Sequence, residues 1–136
     1  MTVALETKIV GSKFSHEDIL ELSLDDFPKD ISLRELIREK VLLEVKAYNS
    51  NQKDGYGLEY RSFKDLERDI KKGEINVNRK LIEDEEGEVI NAINGFEDGR
   101  YKVFLNDKQL LDLDDIIPID IDSKITFLRL IPLTGG

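Results

Sequence analysis

The chain contains no cysteine and no tryptophan, and it has one histidine, His16, and three prolines in 136 residues. Without cysteine there can be no disulfide, no thiolate nucleophile and no thiolate metal centre. The composition fits a reducing compartment. His16 has no second histidine with which to form a metal site or a paired base, and it reads as a loop residue. Paired carboxylates could serve a hydrolase, but with no Trp in the chain no pocket aromatics are evident. Long apolar runs are also missing: no segment reaches the roughly 18 residues of a membrane-spanning helix. The start, Met1-Thr2-Val3-Ala4-Leu5-Glu6-Thr7-Lys8, lacks the basic opening and apolar centre of a signal peptide. The expectation is a cytoplasmic protein with no membrane partner. Positive charge is scarce, with 20 Lys and Arg against 29 Asp and Glu and a net charge of −9. That balance argues against nucleic acid, whose phosphates need clustered basic residues, and favours a basic partner surface.

What is present suits one folded domain. Apolar residues make up 40% of the chain and charged residues 36%, and the length allows a single modest core. Two acidic clusters occur, Glu83-Asp84-Glu85-Glu86 and the set Asp112, Asp114, Asp115, Asp120 and Asp122. Neither has the ligand spacing and central glycine of a calcium loop, so both read as solvated surface and no metal site is expected. The glycines show no phosphate-loop spacing.

The local patterns give an order of elements. Val3 to Val10 is rich in β-branched residues and reads as a strand. Ile19 to Leu24 reads as a second, with Leu20, Leu22 and Leu24 on one face and Glu21 and Ser23 on the other. Gly11-Ser12-Lys13 supplies a turn between them, so the two form a hairpin. Ser32-Leu33-Arg34-Glu35 is a capping box, and a helix follows to about Tyr48. Its apolar stripe of Leu33, Leu36, Ile37, Val41, Val45 and Tyr48 is interrupted by Glu44. Residues 49–60 read as a polar loop. A short helix is expected from Ser62 to about Gly73, and another from about Val77, or from Glu83, to Phe96. Tyr101 to Leu105 is a strand, Asn106-Asp107-Lys108 a tight turn, and Gln109-Leu110-Leu111 its return. Leu113 to Ile119 is a loop or short edge strand stopped by Pro118. The last strand starts at Ile125, and Gly135-Gly136 end the sequence.

Hairpin, capped helix, strand, turn, final strand and diglycine together resemble the β-grasp fold of ubiquitin-like proteins and prokaryotic sulfur carriers. The closest stretch is Tyr101 to Gly136. "YKVFLNDKQL" looks like the family's strand-turn segment. "IDIDSKITFLRLIPLTGG" looks like its closing segment: an acidic turn, an apolar strand, Pro132 and diglycine. The resemblance covers residues 1 to about 49 and 100 to 136. It implies an α+β fold, a mixed sheet of four to five strands around one main helix, as a single domain over 1–136. A helical insertion would span about 50–99 and a flexible tail about 132–136. The insertion departs from simple sulfur carriers and is nearer in size to the larger ubiquitin-like proteins encoded beside activating, conjugating and deconjugating enzymes in some bacteria.

The resemblance implies that the chain is a substrate and not an enzyme. A carboxylate is a poor acyl donor, so a partner activating enzyme would use ATP to adenylate Gly136; the chain itself would bind no cofactor. Gly135 would let the tail pass a narrow cleft, where a Cβ would clash. From a partner thioester the chain would pass to a lysine of a target protein, with a conjugating enzyme and a deconjugating protease as further partners. With sulfide as the acceptor it would become a thiocarboxylate that supplies a sulfur-accepting enzyme. Since the diglycine already stands at the end, no protease would be needed to expose it. Partner binding is expected at Phe127, Arg129 and Ile131 and at the tail residues Pro132, Leu133 and Thr134. The reasoning for the strand is that a charged Arg is rarely buried, which puts Leu128 and Leu130 in the core. Three readings follow: a protein modifier, a sulfur carrier, and a β-grasp interaction domain whose diglycine is incidental.

Overall fold

The computed structural model describes residues 2–11, 15–23, 25, 30–50, 57, 59–60 and 81–130. The expected helix from Ser62 to Gly73, Leu24, and the tail from Ile131 onward lie outside the described residues.

The first two strands, β1 (Thr2–Val10) and β2 (Ser15–Ser23), pair antiparallel over their whole length, from Thr2↔Ser23 to Val10↔Ser15. In β1 the odd positions Val3, Leu5, Thr7 and Ile9 are buried while Thr2, Ala4 and Val10 face solvent. That is the period-2 alternation of a strand with one covered face. β2 begins four residues earlier than its hydrophobic pattern suggests, so His16 lies in a strand and not in a loop. It pairs with Ile9, and the β-branched Val10 carries the ladder one pair further, to Ser15.

A short strand, β3 (Asp30–Ser32), leads into helix α1 (Leu33–Asn49). Both halves of the expected capping box are formed: the Glu35 backbone N–H donates to Ser32 Oγ at 3.2 Å, and the Ser32 N–H donates to Glu35 Oε1 at 3.4 Å. The remaining free N–H groups of the first turn are met by carbonyls of residues 113 and 115. Leu33 N–H donates to the Asp115 carbonyl at 3.0 Å and Arg34 N–H to the Leu113 carbonyl at 2.9 Å. The helix start is thus held from two directions.

Helix α2 (Glu85–Glu97) packs on α1. Asp84 caps it by accepting from the Gly87 N–H at 2.9 Å, and three acidic residues in its first turn complement the positive end of the helix dipole. Ahead of it, the Asn49 side chain both accepts from Ile82 N–H at 2.8 Å and donates to the Ile82 carbonyl at 3.0 Å. One amide so ties the end of α1 to the approach of α2.

Strands β4 (Lys102–Leu105) and β5 (Lys108–Leu110) form the second hairpin. Its turn residues Asn106 and Asp107 have φ of 51° and 76°, the left-handed pair that a two-residue hairpin loop needs and that Asn and Asp tolerate. The Asn106 side chain also accepts from Lys124 N–H at 2.7 Å, which anchors the chain just before the last strand. Strand β6 (Ile116–Pro118) pairs antiparallel with β3, setting Ile31 opposite Ile117, and Pro118 ends it. Strand β7 (Ile125–Leu130) closes the sheet.

The architecture is α+β. A mixed five-stranded sheet has the order β2-β1-β7-β4-β5, with β7 at the centre, parallel to β1 and antiparallel to β4. The core gathers Val3, Leu5, Leu22, Val103, Ile125 and Phe127 from the sheet with Leu33, Leu36, Ile37, Val41 and Val45 of α1. Each such side chain contributes roughly 1.5–3 kcal/mol by leaving water.

Candidate functional site

The expected reactive end, Gly135 and Gly136, and its neighbours Ile131, Pro132, Leu133 and Thr134 lie outside the described residues. The strand that leads to them is fully described, and its facing is the reverse of the expectation. Ile125, Phe127 and Arg129 are buried at 0%, 1% and 5% exposure, whereas Leu130 is 63% exposed. Thr126 and Leu128 are half-buried on the outer side. Phe127 and Arg129 are therefore interior residues and are not available on the surface as a docking face.

The physical reason is a set of buried charges contributed by α1, β7 and Glu59. Lys40 and Glu44 lie on the buried side of α1, at 1% and 0% side-chain exposure, with Nζ 3.0 Å from Glu44 Oε1. Glu59, 2% exposed, brings Oε1 to 2.6 Å from the same Nζ. The ammonium also sits 4.5 Å from the centre of the Phe127 ring, where the ring's negative face attracts it. The second carboxylate oxygen of Glu44 accepts from Gly57 N–H at 3.3 Å. Arg129 reaches the Glu59 carbonyl oxygen at 3.4 Å. An arginine can face inward when acceptors meet it there, and the rule that arginine stays out fails on that condition.

Residues 57–60 were expected within a polar loop. Instead Glu59 and Tyr60 are buried, and Arg100 donates to the Tyr60 carbonyl at 3.2 Å. Tyr101 stands beside this cluster. Its hydroxyl donates to the Ala92 carbonyl at 2.6 Å, and its ring stacks on Phe127 with centroids 6.1 Å apart. Burial, with the charges of Glu59 and Glu44 nearby, pushes the Tyr101 phenol far above its usual range. One signal for the cluster was present in the sequence: Lys40 and Glu44 are four residues apart on the stripe that also carries Leu36, Ile37 and Val41. Nothing local marks Glu59.

The outer face of the sheet is the other candidate surface. The register aligns Ile19, Glu6, Thr126, Phe104 and Gln109 in one row across the strands. The next row holds Glu17, Lys8, Leu128 and Lys102, and the last holds Ser15, Val10 and Leu130. Leu128, Phe104, Val10 and Leu130 thus form an apolar strip along β7. Charges frame the strip, among them Lys8 with Glu6 at 3.4 Å and Lys102. Exposure is 41% at Val10 and 62% at Ile19. Leu130 is exposed as well, while Leu128 and Phe104 are half-buried; apolar residues that reach the surface within a polar rim suit a protein-binding face.

Away from both sites, Arg38 of α1 and Glu86 of α2 make a two-pronged pair at 2.7 and 2.6 Å. The hydrogen bonds from Arg38, and then its charge, hold the Glu86 carboxyl below the usual range. This pair joins the two helices. Among the described residues no group of three or more His, Asp or Glu could hold a metal ion, and no helix is long and apolar enough to cross a membrane. No protein-family model matches the chain, and no curated protein or solved structure does either.

Proposed function

We propose that the chain is a β-grasp, ubiquitin-like protein modifier, activated by ATP-dependent adenylation of Gly136 in a partner enzyme and then joined to a target protein. The observation that carries this reading is the position of β7. It is the central strand, parallel to β1 and flanked by β4, in a sheet of order β2-β1-β7-β4-β5 with α1 following the first hairpin. In the sequence it continues directly into Ile131-Pro132-Leu133-Thr134-Gly135-Gly136. A central strand is held by ladders on both sides, so the chain leaving it starts from a fixed point.

The roles follow from the chemistry. Gly136 offers the carboxylate, and adenylation converts it to a mixed anhydride with a good leaving group. Gly135 has no side chain to obstruct a narrow cleft. The apolar strip of Leu128, Phe104, Val10 and Leu130 is the docking face for the activating enzyme, in place of Phe127 and Arg129. The chain supplies no nucleophile and base of its own for these steps, and the partner enzyme performs them.

A second reading has its own support. The ending Pro132-Leu133-Thr134-Gly135-Gly136 carries no arginine, which leans to a sulfur carrier whose terminal thiocarboxylate serves a biosynthetic enzyme. One experiment separates the readings. The tagged protein is expressed in its source cells, and its conjugates are digested with trypsin. Cleavage after Arg129 leaves Leu130–Gly136 as a remnant on a modified lysine, and that remnant on other proteins establishes a modifier. The intact protein with one terminal oxygen replaced by sulfur establishes a carrier. A chain with neither change, and with unaltered function after loss of Gly136, would overturn both and leave an interaction domain.

A further inference from the structure

The Lys40 ammonium lies between two carboxylates in a site almost closed to water, at 3.0 Å from Glu44 and 2.6 Å from Glu59. A surface pair would account for none of this. On a helix face the order Lys then Glu four residues on is the weaker one, and burial strips water from both ions at a cost their attraction does not always repay. We propose that Lys40 and Glu59 are the partners of an intramolecular isopeptide bond, formed with Glu44 as the proton-transferring residue.

The reaction balances within the cluster. The reacting forms are the amine of Lys40 and the carboxylic acid of Glu59, reached by passing one proton from Nζ to the oxygen 2.6 Å away. The Nζ lone pair attacks Cδ of Glu59, one bond beyond an oxygen it already touches. Glu44 accepts a proton from Nζ as the C–N bond forms and returns one to the departing hydroxyl as the C–O bond breaks. One ammonium and one carboxylate become one amide and one water. Nothing is oxidised or reduced, and no co-reactant is needed.

Three features favour the product. The two groups are held together by the fold, which for well-oriented pairs is equivalent to a reactant concentration on the order of 10⁵ M or more. The reaction removes two buried charges and releases the water from the interior. Glu44, the charge left behind, keeps the Gly57 N–H as a donor at 3.3 Å. The bond would tie α1 to residues 57–60 in a chain that has no cysteine for a disulfide.

The test is the mass of the purified folded protein after denaturation. The expected result is a deficit of one water, with a tryptic species in which residues 39–46, uncut at Lys40, are joined to residues 54–61 through Glu59. Lys40→Arg keeps a charge at the site but offers no comparable amine and restores the full mass. Glu44→Gln keeps the shape, and its product accumulates at least tenfold more slowly. Circular dichroism confirms that each variant is folded. Full mass in the wild-type protein after prolonged incubation in the folded state overturns the proposal, and so does a deficit that maps to any other residues. In either case the cluster is a structural ion pair only.

Discussion

A Cβ added to Gly95 would lie 2.7 Å from the Cβ of Tyr60. Gly95 stands inside α2, where alanine is ordinarily worth about 1 kcal/mol more than glycine. Here the bare backbone lets Tyr60 and Tyr101 lie against the helix, and the neighbouring atoms include the Tyr60 backbone at 3.3 Å. Those atoms cannot rotate away. Overpacking of this kind costs typically ~1–3 kcal/mol and outweighs the helix gain. Gly95→Ala is expected to lower the thermal midpoint by a few degrees. A raised midpoint would show that Tyr60 does not pack there.

The buried charges make a second prediction. Removing one member of a buried ion pair strands the other and costs about 3–5 kcal/mol. Measured against protein of full mass, in which Lys40 and Glu59 are still separate side chains, Lys40→Met leaves Glu44 and Glu59 facing an apolar side chain, so a loss of that size is expected in urea unfolding. Adding Glu44→Leu should recover part of it, because one of the stranded charges is then gone. If the double variant loses the full sum of the single losses, Lys40 and Glu44 are not energetically coupled.

How far the sequence foretold this molecule depends on which residues act locally. The α1 start was readable because Ser32 and Glu35 meet within one turn. The second hairpin was readable because Asn106 and Asp107 suit its turn, and β6 because Pro118 stops it. β1 announced itself by its β-branched residues and the final strand by its apolar run. The facing of β7 did not, because both sets of side chains there include apolar residues and the deciding interaction is with Glu59, seventy residues away. Burial of Arg129 is a consequence of long-range acceptors, and no spacing rule encodes it. Lys40 and Glu44 could have been paired by their four-residue separation, but only the fold supplies the third member. His16 reads as a loop residue on its own, yet the β1 ladder extends past it.

Tyr101 gives the fold an alkaline limit. Its phenol is neutral when buried, and its folded pKa is raised. For a raised group the stabilising contribution is complete below the unfolded value, about 10 for tyrosine. It is lost as the pH climbs above that value, because only the unfolded chain then releases the proton. Tyr101→Phe loses the hydrogen bond to Ala92, a cost of about 1 kcal/mol at neutral pH. The same change should flatten the decline above pH ~10. Unfolding free energies of the two proteins, measured from neutral to alkaline pH, should therefore converge. A constant gap would mean that Tyr101 ionises in the fold as it does in water.

The proposed docking face is tested by charge on its apolar strip. Leu130 is 63% exposed and lies beside Val10 at the end of β7, so Leu130→Glu disturbs no core contact and should change stability by less than ~0.5 kcal/mol. At the centre of an interface the same change buries an unpaired carboxylate, which costs at least ~2 kcal/mol. Under the modifier or the carrier reading, binding to the activating enzyme should weaken by roughly thirtyfold or more. Phe127→Leu, an interior change, should lower stability instead and leave the affinity of the folded fraction unchanged. Affinity is measured for both variants against the activating enzyme, alongside their unfolding curves. The reverse pattern, with Phe127→Leu weakening binding and Leu130→Glu neutral, would move the contact off the outer face of the sheet. The two substitutions stand three residues apart on one strand, so the comparison isolates which side of that strand the partner meets.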